Sequence, residues 1–436
     1  MAEETKPIPR EMKYILYFMV ALLAAASMWF YVDRILVAHQ IADAVANNRP
    51  RGNLSDLYPR WLGARELLLH RRNPYSDEVT VEIQKGYYGR ALEAARPNDP
   101  KDQQAFAYPV YVVLLLAPLI RLPFSQVRIL FFWALVGLTA LSVVLWLRLL
   151  RWALPCWLTA TVIALTMGSV PAVQALKLQQ LSLLVAAVLA GAAACVANGF
   201  LICGGVLAAV ATIKPQLALP LVVWLLLWAF SKWSARRKFV YGFAGMMALL
   251  FAAGELVLPG WCGIFWEAVG KYHRYTQNAS VLDELLPWAF AGKILAIAAA
   301  VACAWFLWRF RNESAESGGF GSATALVMAL TVLVVPMYAP YNQVLLLPAI
   351  FALARNRSLL LSRSRASRFL YVAAFFALAW QWVASLGLTT VYLLASREWA
   401  LRAWKWPFFA TLTLPLLFFA LMILELEARW NRAVEA

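Results

Sequence analysis

The stretch YILYFMVALLAAASMWFYV, residues 14–32, contains no charged residue. An α-helix needs about twenty apolar residues to cross the hydrocarbon core of a bilayer. Lys6, Arg10 and Lys13 precede the stretch, and no small-residue cleavage site closes it. We therefore expect an uncleaved first membrane helix whose basic N-terminal side faces the cytoplasm.

Similar apolar runs follow along the rest of the chain. Of its 436 residues 63% are hydrophobic, and the mean hydropathy is +0.66, which excludes a soluble globular protein. No stretch alternates polar and apolar residues as a half-buried β-strand would. The sequence predicts an all-α polytopic membrane protein in which residues 1–436 form a single integral membrane domain. About 11–13 of its apolar segments are candidates for transmembrane helices.

The net charge of +16 is concentrated in short segments between the apolar runs. Lysines and arginines cluster at residues 232–238, 309–311 and 355–368. Such clusters in short loops mark the cytoplasmic side of a membrane protein, whereas a nucleic-acid-binding protein carries a basic stripe on one face. We therefore expect the membrane, and no nucleic acid, as a partner.

The first long polar segment, residues 38–106, follows the first apolar run. It is predicted to be an extracytoplasmic loop, because long loops are translocated largely regardless of their charge. It contains SDLYPRWLGARELLLHRRNPY, residues 55–75, whose apolar positions predict a helix over residues 58–69. Asp56 lies at the start of this helix. An acid there is either an N-cap or a catalytic group, and the residues alone leave both open.

Three other polar features are predicted on the same side of the membrane as this loop. They are the turn at residues 174–180, Lys214 before Pro215, and residues 340–342. Polar and ionisable groups that converge at helix ends can form a membrane-embedded active site.

Each of these features also has a purely structural interpretation. Lys214 can extend from a helix end towards the interface. Lys177 and Gln179 can belong to an ordinary inter-helix loop, and Tyr341 and Asn342 can cap the helix that follows. Taken singly, these interpretations are favoured.

The apolar segment 108–121 raises a question of topology. If it spans the membrane, Arg148 and Arg151 fall on the outer side, against the charge rule. The segment is short and contains Pro109 and Pro118. We therefore expect it to be re-entrant or only partly inserted.

The remaining chemistry-bearing residues give weak signals. Asp77 and Glu78 form an acidic pair that is typical of a solvated turn. His39, His70 and His273 do not pair at metal-ligand spacing, so no zinc-type site is expected. We expect no cofactor, and the sequence leaves the use of a divalent metal open.

The order of these features resembles glycosyltransferase family 87, the polyprenol-phosphate-mannose-dependent mannosyltransferases of the GT-C fold. The resemblance covers residues 15–355, and its best pieces are SDLYPRWLGARELLLHRRNPY and IKPQLALPLVVWLLL, residues 55–75 and 213–227. The chain departs from the family at Asn342, where the family tends to have a histidine. It also has Lys177-Leu178-Gln179 where the family usually has a glycine before the glutamine.

The resemblance implies a function and a site. Asp56 would be the catalytic general base of an inverting transfer that moves a hexose, mannose in this family, from a polyprenyl-phosphate donor to a lipid- or glycan-linked acceptor. The protein would lie in the bacterial cytoplasmic membrane with its active site on the extracytoplasmic face. The residues expected to bind the donor phosphate and substrate are Lys214, Lys177, Gln179, Arg60, Arg65, Tyr58, Tyr341 and Asn342.

A different function remains open at this point. A transporter or flippase of a lipid-linked sugar could use the same basic cavity without any chemistry. Such proteins typically have two similar halves with broken helices at corresponding positions. No internal repeat of this kind is found in the sequence, which favours the transferase.

Overall fold

The computed structural model describes residues 9–52, 55–93, 95–276, 279–286, 288, 290–336 and 338–435. Every regular element in these ranges is helical, as the sequence predicts, and no strand occurs among them. The first half of the chain contains the helices α1 (Arg10–Tyr31), α2 (Val37–Ala46), α3 (Tyr58–His70), α4 (Asp77–Tyr88), α5 (Val112–Leu116), α6 (Phe124–Leu149), α7 (Cys156–Met167), α8 (Val170–Lys177), α9 (Leu181–Ala197) and α10 (Leu201–Val210).

The second half continues with longer apolar helices and short connecting ones. They are α11 (Pro215–Ser231), α12 (Trp233–Val257), α13 (Trp261–Thr276), α14 (Val281–Leu285), α15 (Ala291–Phe310), α16 (Gly318–Val334), α17 (Leu347–Arg355), α18 (Arg357–Leu361), α19 (Arg365–Leu394), α20 (Arg397–Arg402) and α21 (Leu414–Glu435).

Five helices of the described chain are long and apolar enough to cross a membrane. They are Arg10–Ala46, in which a π-helical turn joins α1 to α2, and Phe124–Leu149, Trp233–Val257, Ala291–Phe310 and Arg365–Leu394. The pair α7 and α8, bent by 62°, provides a sixth span if its halves count as one. Four shorter apolar helices are Leu201–Ile213, α9, α11 and α16. The chain is therefore a polytopic membrane protein, and the predicted total of 11–13 spans stays an expectation.

The helices form a bundle with two chemically different ends, as α11 illustrates. Its 17 residues extend over about 25 Å at the usual rise of an α-helix. Lys214 at its start belongs to a polar cluster with the 177–182 turn, since its ammonium donates to the Ser182 hydroxyl at 2.7 Å. Ser231 at its other end donates to the Arg311 carbonyl at 2.6 Å. The 177–182 and 309–311 segments therefore lie at opposite ends of the bundle.

The end that contains Arg311 is rich in arginine. Arg236 is buried there among the carbonyl oxygens of Trp228, Arg311 and Glu313. Arg355 donates to the Leu150 carbonyl. The three basic segments that the sequence assigns to one side thus contact one end of the bundle, together with residues 148–151.

The segment that raised the topology question does not form a membrane-crossing helix. It contains only α5 and a 3-10 turn, Ala117–Leu119, which together are far too short to span a bilayer. It lies under α3, where the Trp61 indole donates to the Leu119 carbonyl at 3.2 Å. Because this segment does not cross the membrane, the next helix, α6, carries Arg148 and Arg151 to the arginine-rich end.

The polar segment before α5 folds as a cap over the other end of the bundle. The helix predicted at residues 58–69 is confirmed as α3. Ser76 caps α4, whose first turn holds Asp77 and Glu78. Asp77 is largely exposed and 3.6 Å from the Lys271 ammonium, which fits the prediction of a solvated turn.

Candidate active site

Asp56 lies just before α3, but its side chain does not cap the helix. The cap position is Leu57, and no side chain accepts a hydrogen bond from the first turn. The Asp56 backbone amide instead donates to the Leu178 carbonyl at 2.9 Å, and the Ser55 hydroxyl donates to Gln179 Oε1 at 2.7 Å. The chain at residues 55–56 is therefore tied to the turn between α8 and α9, and the Asp56 carboxyl group is free for another role.

The two oxygens of the Asp56 carboxyl group face different parts of the protein. Oδ2 accepts a hydrogen bond from Gln180 Nε2, at the start of α9. Oδ1 is 3.4 Å from the hydroxyl of Tyr87, in α4. Gln180 thus orients the carboxyl group from the bundle side. The longer contact to Tyr87 leaves Oδ1 the more weakly satisfied oxygen.

The surroundings of Asp56 make its carboxylate more basic than usual. Burial raises the pKa of this group, and the neighbouring Asp102 raises it further. Arg60, Lys214 and the Tyr87 hydrogen bond lower it, but burial dominates and the net shift is upward. A carboxylate with a raised pKa accepts a proton more readily, which suits a general base.

Arg60, one turn into α3, places a cation beside Asp56. Its guanidinium donates to the Asp56 backbone carbonyl, not to the carboxylate. It also donates to the Tyr108 hydroxyl at 3.2 Å and lies 4.5 Å from the centre of that ring. In the described part of the chain Arg60 forms no salt bridge.

Lys214 provides a second cation at the break between α10 and α11. The residue is only 5% exposed. Its ammonium donates to the Ser182 hydroxyl at 2.7 Å, and that hydroxyl donates to Asn342 Oδ1 at 2.9 Å. The ammonium also lies 5.4 Å from the centre of the Tyr341 ring. Three distant parts of the sequence thus position one buried cation close enough to Asp56 to lower its pKa.

Neither of these two cations forms a salt bridge among the described residues, although the Asp56 carboxylate lies close enough to interact with both. Cations that are not directly paired can make charge-assisted hydrogen bonds to an anionic ligand. The Tyr108 hydroxyl accepts from Arg60, and the Tyr341 ring lies near the Lys214 ammonium. The amides of Gln180 and Asn342 bond to the neighbouring Asp56 and Ser182 side chains. The arrangement can hold a phosphate ester next to a basic carboxylate.

Four of the residues predicted for the site have other partners. Lys177 forms a salt bridge with Asp33 and lies 5.4 Å from the centre of the Trp29 ring. Arg65 lies over Trp61, and Tyr58 packs on Phe124. Gln179 donates its amide to the Leu176 and Lys177 carbonyls and so shapes the turn that holds Ser55. The structure brings Asp56, Arg60, Lys214, Tyr341 and Asn342 together and leaves these four outside.

The family model for glycosyltransferase family 87 matches residues 106–336, more than half of the chain. This chain belongs to glycosyltransferase family 87. Comparison with curated proteins and with solved structures finds no match. The protein is therefore a membrane glycosyltransferase that acts on a sugar donor and an acceptor.

The matched range divides the site of this glycosyltransferase into two parts. Tyr108, Gln180, Ser182 and Lys214 lie inside it, whereas the segment with Asp56 precedes it and Asn342 follows it. The family match therefore includes the part of the candidate site around Lys214. It does not include Asp56, whose proposed role is inferred from its contacts with that part.

Several residues of the candidate site are not predictable from the sequence. The turn at residues 174–180 is predicted to contribute Gln179, but the amide that reaches the Asp56 carboxyl group is that of Gln180, because spacing alone does not distinguish two adjacent amides. Tyr87 and Asp102 had no local signal, since each reaches Asp56 only through the folding of the 38–106 segment. Among the described residues, no three His, Cys, Asp or Glu side chains form a group that could hold a metal ion.

Proposed function

We propose that this glycosyltransferase transfers a hexose from a polyprenyl-phosphate sugar to a lipid- or glycan-linked acceptor, with Asp56 as the general base. The observation that carries the proposal is the partly buried Asp56 carboxyl group, which is oriented by Gln180 rather than used as a helix cap. Two cations that form no salt bridge in the described chain, the half-buried Arg60 and the buried Lys214, lie near it. The resemblance to mannosyltransferases of the GT-C type suggests mannose as the sugar.

The reaction is a single displacement at the anomeric carbon. An acceptor hydroxyl gives its proton to Asp56 Oδ1 while its oxygen forms the new bond to that carbon. The bond from the same carbon to the phosphate oxygen breaks, and the electron pair leaves with polyprenyl phosphate. Attack opposite the leaving group inverts the configuration, so a β-linked donor gives an α-linked product.

Arg60 and Lys214 would act on the leaving group. Negative charge develops on the bridging phosphate oxygen as the bond breaks, and fixed cations aimed at it stabilise the transition state. Ser182 and Asn342 hold the Lys214 ammonium in place before the substrate binds. Cations that are already positioned need no reorganisation when the charge develops, so their stabilising effect is available in full.

The charge distribution supports an active site on the extracytoplasmic face. Arginines of the 232–238, 309–311 and 355–368 segments lie at the bundle end away from the site. Clusters of this kind stay in the cytoplasm during insertion. A membrane-anchored donor could then present its sugar phosphate at the opposite face, next to Lys214.

The donor class is tested with the purified protein in lipid vesicles. Polyprenyl-phosphate [¹⁴C]mannose, nucleotide [¹⁴C]mannose and polyprenyl-phosphate [¹⁴C]glucose are supplied separately with a lipid extract as acceptor. Label transferred to a new lipid from the polyprenyl-phosphate donors alone supports the proposal. Transfer from the nucleotide sugar, with none from the lipid donors, would contradict it.

A further inference from the structure

A polar cleft of about 660 Å³ lies next to Tyr87, within the cap formed by the 38–106 segment. One wall is the end of α2 and the residues after it, including Asp43, Arg49 and Arg51. The other wall is the end of α4 and the loop up to Lys101. The proposed reaction as described so far does not use this space, which is large enough for a sugar head group.

Tyr87 is the residue that connects the cleft to the carboxyl group. It lines the cleft, and its hydroxyl is the group 3.4 Å from Asp56 Oδ1. Tyr88, beside it in the cleft, donates to the Asp102 carbonyl at 2.8 Å. Tyr87 therefore lies between Asp56 Oδ1 and the cleft, whereas Oδ2 bonds Gln180 on the bundle side.

The acidic residues of the cleft are in salt bridges, whereas, within the described chain, two of its basic residues are not. Arg49 is 2.7 Å from Asp43, and Asp99 is 2.8 Å from Arg90, so these acids are neutralised. Among the described residues, the Arg51 guanidinium donates to the neutral Gln40 side chain at 3.3 Å. Within the described ranges neither Arg51 nor Lys101 forms a salt bridge. The described lining thus offers two cations that form no salt bridge, together with tyrosine and amide groups.

We infer that this cleft is the acceptor subsite, and that it takes a sugar or polyol head group that carries a negative charge. The inference rests on the proposed transfer and adds the side from which the acceptor arrives. The bound acceptor directs one hydroxyl to Asp56 Oδ1 in place of the Tyr87 hydroxyl. Arg51 and Lys101 pair with its anionic group, while the donor occupies the Lys214 side.

The test uses three chemically matched probes. Octyl glucuronide is anionic and has a lipid-like tail, octyl glucoside is neutral with the same tail, and methyl glucuronide is anionic without a tail. Their binding to the purified protein is measured by saturation-transfer NMR, which does not depend on catalysis. Transfer from polyprenyl-phosphate [¹⁴C]mannose to each probe and hydrolysis of the donor alone are measured in parallel.

The decisive variant is the double substitution Arg51→Gln with Lys101→Gln, and its control is Arg96→Gln. Arg96 lies on the same loop but outside the cleft, where it pairs with Glu93 at 2.8 Å. Because the double variant loses two partly exposed charge contacts, its affinity for the glucuronides should fall about three- to tenfold. In the double variant the binding of octyl glucoside should stay as in the wild type, and in the control all measured properties should.

The outcomes distinguish a failure of the acceptor subsite from a failure of the proposed transfer reaction. Unchanged glucuronide binding in the double variant, or equal binding of glucoside and glucuronide by the wild type, would overturn the acceptor subsite. Weakened glucuronide binding in a protein that neither hydrolyses nor transfers the donor would keep the subsite and reject the proposed reaction. Equal affinity for methyl and octyl glucuronide indicates a soluble glycan acceptor, and tighter binding of the octyl compound indicates a lipid.

Discussion

At the scale of single residues, the central feature is a carboxyl group that is destabilised in its charged form. Burial raises the pKa of Asp56 above the value of the unfolded chain, so the folded protein holds its proton more tightly. Its contribution to stability is therefore largest below the unfolded pKa and declines as the pH rises through the folded pKa. A functional site can retain such a group at the expense of stability.

Asp56→Asn should accordingly raise the melting temperature at neutral pH. Asparagine can accept from Gln180 and donate to the Tyr87 oxygen, so the local hydrogen bonds persist while the buried charge is removed. The measurement is thermal unfolding of both proteins between pH 4 and 8. The gain should shrink as the pH falls, and a variant that is less stable than the wild type at pH 8 would argue against a destabilised carboxylate.

The acid limb of the pH–rate profile provides a second residue-scale prediction. Arg60, Lys214, Tyr87 and Asp102 all face Asp56, and of these only Asp102 raises its pKa. Asp102→Asn should therefore shift the acid limb of transfer to lower pH. The profile of kcat against pH measures this shift. Asp77→Asn, which removes an exposed carboxylate 3.6 Å from the Lys271 ammonium, is the control and should leave the limb in place.

Lys214 and Lys177, both predicted to bind the donor phosphate, provide a third residue-scale prediction. Lys214→Gln removes a buried charge that would contact the donor, and charged hydrogen bonds contribute about 1.5–3 kcal/mol, so the KM for the donor should rise at least tenfold. Lys177 pairs with Asp33 instead. Lys177→Gln should leave the donor KM within about twofold of the wild type. Equal effects of both substitutions would reject the separation seen in the structure.

At the scale of elements, α10 and α12 pack closely through glycine. A Cβ atom on Gly242 would lie 2.4 Å from the Ile202 carbonyl oxygen, whereas one on Gly245 of the same helix meets nothing within 4 Å. Small residues that allow close backbone approach are the usual basis of helix association in membranes. The approach of α12 positions α10, which ends next to Lys214.

Gly242→Ala should therefore destabilise the protein and Gly245→Ala should not. Overpacking of a close contact costs about 1–3 kcal/mol. An alanine that fits its helical site stabilises by about 0.4–1 kcal/mol instead. Thermal unfolding in detergent compares the two variants. A melting temperature for Gly242→Ala equal to that of Gly245→Ala would show that this contact is looser than described.

Much of the element-level description could be predicted from the sequence, and the reason is physical. Helix α3 buries Trp61, Ala64 and Leu67, which recur every three residues, and the prolines near residues 109–118 mark a segment that cannot span. The bend between α7 and α8 has no such local signal and depends on tertiary contacts. The partners of Asp56 could not be predicted for the same reason, because Tyr87 and Gln180 approach it from α4 and α9.

At the scale of the whole molecule, the two ends of the bundle have opposite roles. The site and its outer cleft lie at one end, and the arginine-rich segments lie at the other. By the charge rule, we expect the second end on the cytoplasmic side. Substrates attached to the membrane would then meet the site from the outer face without crossing the arginine cluster.

The orientation is tested by labelling single cysteines. Arg96→Cys and Glu316→Cys are introduced separately into a protein whose five cysteines are replaced by alanine. A membrane-impermeant maleimide should label residue 96 in intact cells and residue 316 only after permeabilisation. The reverse pattern would place the active site on the cytoplasmic face.

The central claim, that Asp56 is the general base, is tested most directly by the rate of transfer in Asp56→Asn. The substitution keeps the size and hydrogen bonds of the side chain but removes its basicity, and a general base contributes about 10²–10⁴-fold to the rate. Asp77→Asn and Glu78→Gln, on the exposed first turn of α4, are the matched controls. We expect transfer from the polyprenyl-phosphate sugar to fall by that factor in Asp56→Asn alone, in a protein at least as stable as the wild type. Full activity in Asp56→Asn, or a loss that follows a loss of stability, would contradict the account.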